Sequence, residues 1–554
     1  MAYIENFPVT VTNPDGEELE LLTTGDEFSN YLHDEYGNKI MQGEDGYYRY
    51  AYQYNEEIFP GKIKVDKKKF KKKVHKKDIK ESDTQYKRRA ARMYDVLEIK
   101  EVEEEKKSLG ISNYGDSDTE LFNSNNEQEI LNSSNSIHLG TMNNITIFIR
   151  FADDNNTWNN SYSHYNTLLN GNRPSVRNYF DEVSYGKVDV VSHLYPTSTN
   201  NTILSYQDIY NRNYYLPQST INPEGYTSTQ RASREHGLLR RAIEAIRSQI
   251  PTSLEIDGDN DGRVDSVSFI CKGNATGWGS ILWGHRWALY SFNVQINGKR
   301  VWDYTFQPEN QATWGIISHE LFHVFGAPDL YRYTSGGITP VGSWDIMASG
   351  SAHMGAHMKY KYTNQKWVEN IPVITHSGKY TLNPLTSPTN NVYRINSPNS
   401  TLEYFLVEYR RRVTGTYDST VPGTGLIIYR IHSGVNTGNR NGPPDEVYIY
   451  RPNGTLTNTG TITQAHYSNS VNRTSISNTT NPRGFLMDNS NGDLQISNIR
   501  EVNNTIEFEV TIPGSPPVDN KTISLSTNPD DIGMVEGDGV YQVGAMVTVN
   551  AYNS

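Results

Sequence analysis

At 554 residues the chain is too long for one hydrophobic core, so three or four domains are expected. A formal net charge of −12 argues against nucleic acid as a partner of the whole molecule, and no apolar run is long enough to span a membrane. A single cysteine, Cys271, excludes an internal disulfide and a cysteine-based zinc ribbon. In the strand-like run Val267–Cys271 it reads as a small buried hydrophobe.

Residues 1–61 are rich in Gly and Tyr and alternate in short stretches such as Tyr47–Tyr52, which reads as a small β unit. Composition then shifts sharply. A lysine run over 62–80 leads into the basic Lys87–Arg92 and the acidic Glu98–Glu105. Helix-forming composition covers 81–107, and the Ser/Asn-rich 108–136 reads as a flexible tether, so 62–136 is expected to be a charged linker open to cleavage. Over 137–370 strand and helix signals alternate: a buried strand at 145–151, an amphipathic helix at 225–249, a strand at 264–271 and a buried helix at 312–325. That alternation predicts an α/β (α+β) domain. Across 371–512 the helical signal fades. Short β-rich runs such as Glu403–Tyr409 and Gly425–Ile431, separated by Pro, Gly and Asn turns, predict a β-sandwich. Residues 513–554 open on the hinge-like Pro513–Pro517 and start a further β module, which is expected to continue beyond Ser554.

The chemistry concentrates in His319-Glu320-Leu321-Phe322-His323-Val324-Phe325-Gly326-Ala327-Pro328-Asp329, an HExxHxxGxxD pattern. Residues four apart share a helix face, so His319 and His323 can offer their imidazoles to one zinc ion with Glu320 beside it as general base. The flanking residues are apolar, and imidazoles and a carboxylate in such a segment are costly unless paired or metallated. Gly326 supplies the positive φ that ends a helix, and Pro328 prevents its resumption. The turn can bring Asp329 back as a third ligand; a capping or turn role is its alternative. Three protein ligands leave a position for water, the arrangement of a catalytic rather than a structural site.

Two further stretches carry signals. Asp257-Gly258-Asp259-Asn260-Asp261-Gly262-Arg263-Val264-Asp265 sets carboxylates at alternate positions before a glycine, the pattern of a structural calcium loop. Ser268 stands where such loops place a glutamate, and a plain Asp/Gly turn is the alternative. His285, between Trp283 and Trp287, reads either as a cleft wall or as core packing.

Taken together these residues resemble the M6 peptidases, typified by the immune inhibitor A secreted metalloproteases of bacteria. The likeness includes Asn13–Gly16, Gly25–Phe28 and Asp45–Tyr47, similar to the propeptide segment of that family. Asn178–Gly186 and Leu282–Trp287 resemble catalytic-domain stretches, and Pro422–Gly425 lies between strands similar to its β domain. Gly342–Gly350, a turn of small residues around Met347, resembles the Met-turn that floors the zinc site of metzincins; a lone core methionine is the alternative. The resemblance implies a metzincin-like zinc peptidase domain between an N-terminal propeptide and C-terminal β-sandwich modules. It implies a secreted endopeptidase made as a zymogen. Beside it stand the expectations of protein or peptide substrates, catalytic zinc from the HExxH pattern, structural calcium from the acidic loop, and a monomer. A leader is therefore expected ahead of Met1. Met347 is followed by Ala348 and Ser349, so the tyrosine that steadies the oxyanion in Met-x-Tyr members of the group has no counterpart here. Two other readings compete: a surface adhesin or glycan-binding protein with a vestigial peptidase domain, and a zinc amidase acting on a non-protein substrate. The retained Glu320 argues against the first, since a binding scaffold needs no base beside its metal.

Overall fold

A computed structural model of the chain describes residues 3–66 and 139–513, apart from 27–29, 44, 55–56, 221, 228–229, 276–280 and 334–336, and beyond them 520–525, 533–537, 539–542 and 549–553. From residue 67 onward the expected linker, with Lys87–Arg92, lies outside the described residues.

The N-terminal unit is an antiparallel meander of six strands: β1 (Ile4–Thr12), β2 (Glu18–Gly25), β3 (Asn30–His33), β4 (Lys39–Gln42), β5 (Tyr48–Tyr54) and β6 (Glu57–Lys64). Its two-residue period is plain in β1 and β2. Val9, Val11, Leu19 and Leu21 are buried between exposed Thr10, Thr12, Glu18 and Glu20.

The central part holds β7 (Gly140–Arg150), α1 (Tyr162–Asn170), α2 (Val176–Val183), β8 (Val188–Tyr195), β9 (Tyr206–Gln207), α3 (Arg231–Ile246), β10 (Ser266–Cys271), β11 (His285–Ala288), β12 (Gln295–Ile296), β13 (Lys299–Arg300), β14 (Asp303–Pro308), α4 (Trp314–Val324) and α5 (Ala356–Lys361). Its main sheet runs β11-β14-β10-β7-β8, parallel except for β11, which pairs antiparallel with β14 at one edge. Helices cover both faces, so the inner strands bury both sides and read as continuous apolar runs. Ile145, Ile147, Val267 and Phe269 pack with Leu239 and Ile243 of α3. On the opposite face Phe148 and Ile270 join Phe180 of α2 and Leu321 of α4.

The C-terminal strands form two sheets. β15 (Val373–Ile374), β16 (Gly378–Leu382), β17 (Val392–Asn396), β18 (Glu403–Arg410), β19 (Gly425–His432), β20 (Val447–Ile449), β21 (Ile496–Val502) and β22 (Thr505–Val510) sort into β15-β17-β18-β19-β20 and β16-β22-β21. Phe405, Val407 and Ile428 share a core with Leu382, Ile506 and Phe508 of the smaller sheet. Their neighbours Leu406, Ile427 and Tyr429 face the other way, into the same core as Leu321, Phe322 and Met347. The apolar runs of β18 and β19 thus serve two cores, one of which crosses residue 370. Two short antiparallel strand pairs lie beyond 519. Among the described residues no helix is long and apolar enough to cross a membrane.

Candidate metal centre

Helix α4 starts at Thr313, whose side chain accepts the Ile316 N–H at 3.3 Å, a cap the HExxH pattern does not announce. It ends as the glycine foretold. Gly326 has φ +98°, its N–H donates to His323 O at 2.9 Å, and the Ala327 N–H donates to Phe322 O at 3.1 Å. This is a Schellman closure. The same turn aims the Ala327 carbonyl at His323, whose Nδ1 lies 2.6 Å from it. His319 Nδ1 lies 2.6 Å from Ile346 O, in the turn just before Met347. Each imidazole therefore donates through Nδ1–H and keeps a lone pair on Nε2.

Those two Nε2 atoms are 3.2 Å apart, and Asp329 Oδ1 lies 3.1 Å from His319 Nε2 and 3.4 Å from His323 Nε2. A tetrahedral ion with bonds of ~2.0–2.1 Å sets its ligand atoms ~3.3 Å apart, so the triangle has the size a zinc ion needs. The three residues form a group that could hold a metal. Asp329 is 1% exposed and Glu320, beside His319 on the helix, is fully buried. The outer oxygen of Asp329 accepts the Tyr333 hydroxyl. Neither Tyr333 nor the two carbonyls stood out in the sequence. The Ala327 contact follows from Gly326, whereas Tyr333 carried no signal beyond lying four residues after Asp329.

Met347 is fully buried in the core that holds Leu321 and Phe322. Its N–H donates to Asp345 Oδ1 at 2.8 Å, and its carbonyl accepts the Leu330 N–H at 2.7 Å. The turn thus touches both His319 and the segment carrying Asp329.

The acidic loop lies elsewhere, between α3 and β10. Asp257, Asp259 and Asp261 converge as a second group that could hold a cation. Asp265 is outside that group and accepts the Gly258 N–H at 3.1 Å. Asp257 is fully buried; Lys299 Nζ lies 2.5 Å from its Oδ2, and its Oδ1 has no hydrogen-bond partner among the described residues. Burial, with the neighbouring carboxylates adding to it, raises Asp259 to about 6 and Asp265 to about 7. His285 belongs to a different cluster. It is fully buried, with Nε2 2.6 Å from Glu235 Oε1 and Nδ1 2.7 Å from Trp283 O, and Tyr304 also donates to Glu235. Cys271 is inert core, its thiol pushed up to about 12 by burial.

Comparison with known proteins bears on this geometry. A family model described as the immune inhibitor A peptidase M6 catalytic domain matches residues 257–366. The match supports a metallopeptidase. It spans the acidic loop, β10–β14, α4, Asp329, the Met347 turn and α5, but not β1–β9 or the strands from β15 onward. Among solved structures the chain is similar to metalloproteinase-II from Bacteroides fragilis, at 11% identity over 65% of this chain and 85% of that one, with a TM-score of 0.19. No curated protein matches.

Proposed function

We propose that the chain is a secreted zinc endopeptidase, made as a zymogen, with His319, His323 and Asp329 as zinc ligands and Glu320 as general base. The observation that carries this reading is the triangle of Nε2, Nε2 and Oδ1, with both Nδ1 atoms engaged by carbonyls. Two imidazoles and one carboxylate form a donor set typical of catalytic zinc. When bound, zinc supplies Lewis acidity to the scissile carbonyl and lowers the pKa of water held at the site. Glu320 would take a proton from attacking water and hand it to the departing amine. Tyr333 holds the Asp329 carboxylate in place, and the Ile346 and Ala327 carbonyls hold the imidazole planes.

The N-terminal sheet supports the zymogen part of the reading. Ile4 packs with Ile316 of α4 and with Trp283, and the Tyr3 ring lies 5.7 Å from Tyr331, two residues past Asp329. A unit resting on the metal helix is placed to restrict access until the 62–136 linker is cut. The test is casein zymography of the full chain before and after processing. We expect clearing only from species that begin between residues 62 and 136, abolished by a chelator and restored by zinc. Clearing that survives complete zinc removal overturns the assignment.

Calcium is the second proposed ion, held by Asp257, Asp259 and Asp261, with Asp265 tying the loop from behind. The buried Asp257 oxygen favours it, although Lys299 must swing away. Asp259 and Asp265 have native pKa values above the ordinary carboxylate range, so in cation-free protein the contribution of this loop to stability is fully present below about pH 4 and is lost as pH rises through about 6–7. Bound calcium removes that loss. In EGTA the thermal midpoint should therefore fall between pH 5 and pH 8, while with calcium it stays level and zinc is retained. Superimposable profiles with and without calcium would discard the site.

A further inference from the structure

The face of the five-stranded sheet turned toward α4 carries charge as well as apolar side chains. Leu406, Glu408 and Arg410 share that face through the two-residue period of β18, and Glu408 and Arg410 are 1% and 0% exposed. Asp418 grips the Arg410 guanidinium at 2.6 and 2.8 Å, and Glu408 lies 3.3 Å away. Its other bonds leave the sheet. Nη1 donates to Trp344 O at 2.7 Å and Nη2 to His353 O at 3.1 Å. The carboxylates do the same in reverse: Asp418 accepts the His353 N–H at 3.1 Å and Glu408 the Ala356 N–H at 2.8 Å. The segment between Trp344 and Ala356 is thus stapled to β18 on both sides of the turn that orients His319.

A second bridge reaches Asp329 directly. The Asn439 N–H donates to Asp329 O at 2.8 Å, and its side-chain amide donates to Leu330 O at 2.9 Å. Gly438 has φ +62°, and a Cβ there would lie 2.1 Å from Asp329 O, so only glycine allows this approach. Arg332 closes the contact with a two-bond pair to Asp445 at 2.7 and 2.6 Å.

We infer that the β region after residue 370 is part of the metal site, with Arg410 and Asn439 acting as positioning residues that hold His319 and Asp329 through the intervening backbone. Cohesion alone does not call for this arrangement. Apolar side chains of similar volume hold an interface as well as buried charge does, whereas a planar guanidinium between two carbonyls sets their separation and direction. Metal ligands need that control, to about 0.5 Å.

The inference rests on the zinc-peptidase reading, so the parent is first titrated for zinc as the full chain and assayed on a peptide after processing between residues 62 and 136. Arg410→Lys keeps the charge beside Asp418 but not the planar fork. It is expected to weaken zinc by about 10–100-fold in chelator competition. kcat should fall by a similar factor while KM holds. Phe508→Leu, on the smaller sheet away from this face, should lower the thermal midpoint and leave zinc affinity alone. An Arg410→Lys protein that folds and binds zinc like the parent, or a Phe508→Leu protein that loses zinc equally, overturns the positioning role while the peptidase reading stands. A parent with neither zinc nor activity removes both. If Arg410→Lys does not fold, hydrogen exchange on the parent decides. Stripping zinc should expose the His353, Ala356 and Asn439 amides and spare those of β21 and β22; unchanged exchange at all three overturns the coupling.

Discussion

Glu320→Gln is expected to retain zinc at parental affinity and lose about 10²–10⁴-fold in kcat, with KM little changed. The amide has the shape of the carboxylate and disturbs neither imidazole, because the orientation of both rings is set by the Ile346 and Ala327 carbonyls. What the amide cannot do is take a proton from attacking water and hand it to the leaving amine. Ground-state binding of the peptide does not need that transfer, so the loss falls on kcat. Metal analysis of the purified variant beside steady-state kinetics on a quenched peptide makes the measurement. A variant that holds zinc and turns over near the parental rate places the base elsewhere. One that loses its zinc shows Glu320 to be structural.

How much of this site is legible in the sequence depends on which atoms act. His319, Glu320 and His323 declare themselves because helical spacing and residue type together specify them. Gly326 declares the turn that follows, and its φ of +98° meets the expectation. The groups that aim the imidazoles are main-chain carbonyls of Ile346 and Ala327, and a carbonyl carries no residue type to recognise. Arg410 was hidden for another reason. β18 reads as a strand with an apolar middle, Tyr404–Val407, and its pattern does not say that the charged Glu408 and Arg410 beside it are buried or what lies against them. The runs assigned to a separate β region proved to share a core with α4, so Leu406 and Tyr429 serve the metal part of the molecule as much as their own sheet. Asp265 shows the opposite effect. Its spacing suits a cation loop, yet its carboxylate caps the Gly258 N–H instead of joining the other three.

Asp329→Ala should cost more than about 100-fold in zinc affinity, beyond the 10–100-fold typical of losing a group that only orients a ligand. Tyr333→Phe, which removes the hydroxyl held by the outer oxygen of Asp329, should fall inside that lower range. The contrast separates the two roles open to Asp329. As a turn residue its carboxylate would serve nearby backbone N–H groups, whereas among the described residues the outer oxygen accepts the Tyr333 hydroxyl and Oδ1 faces the two Nε2 atoms. Stability supplies a reading independent of catalysis. A ligand present at 1,000 times its Kd stabilises the native state by about 4 kcal/mol, so saturating zinc should raise the parental thermal midpoint. Without Asp329 the same zinc should raise it far less. An Asp329→Ala protein that takes up zinc at parental affinity and shows the full shift would return Asp329 to the turn and leave the third ligand to be sought on another segment.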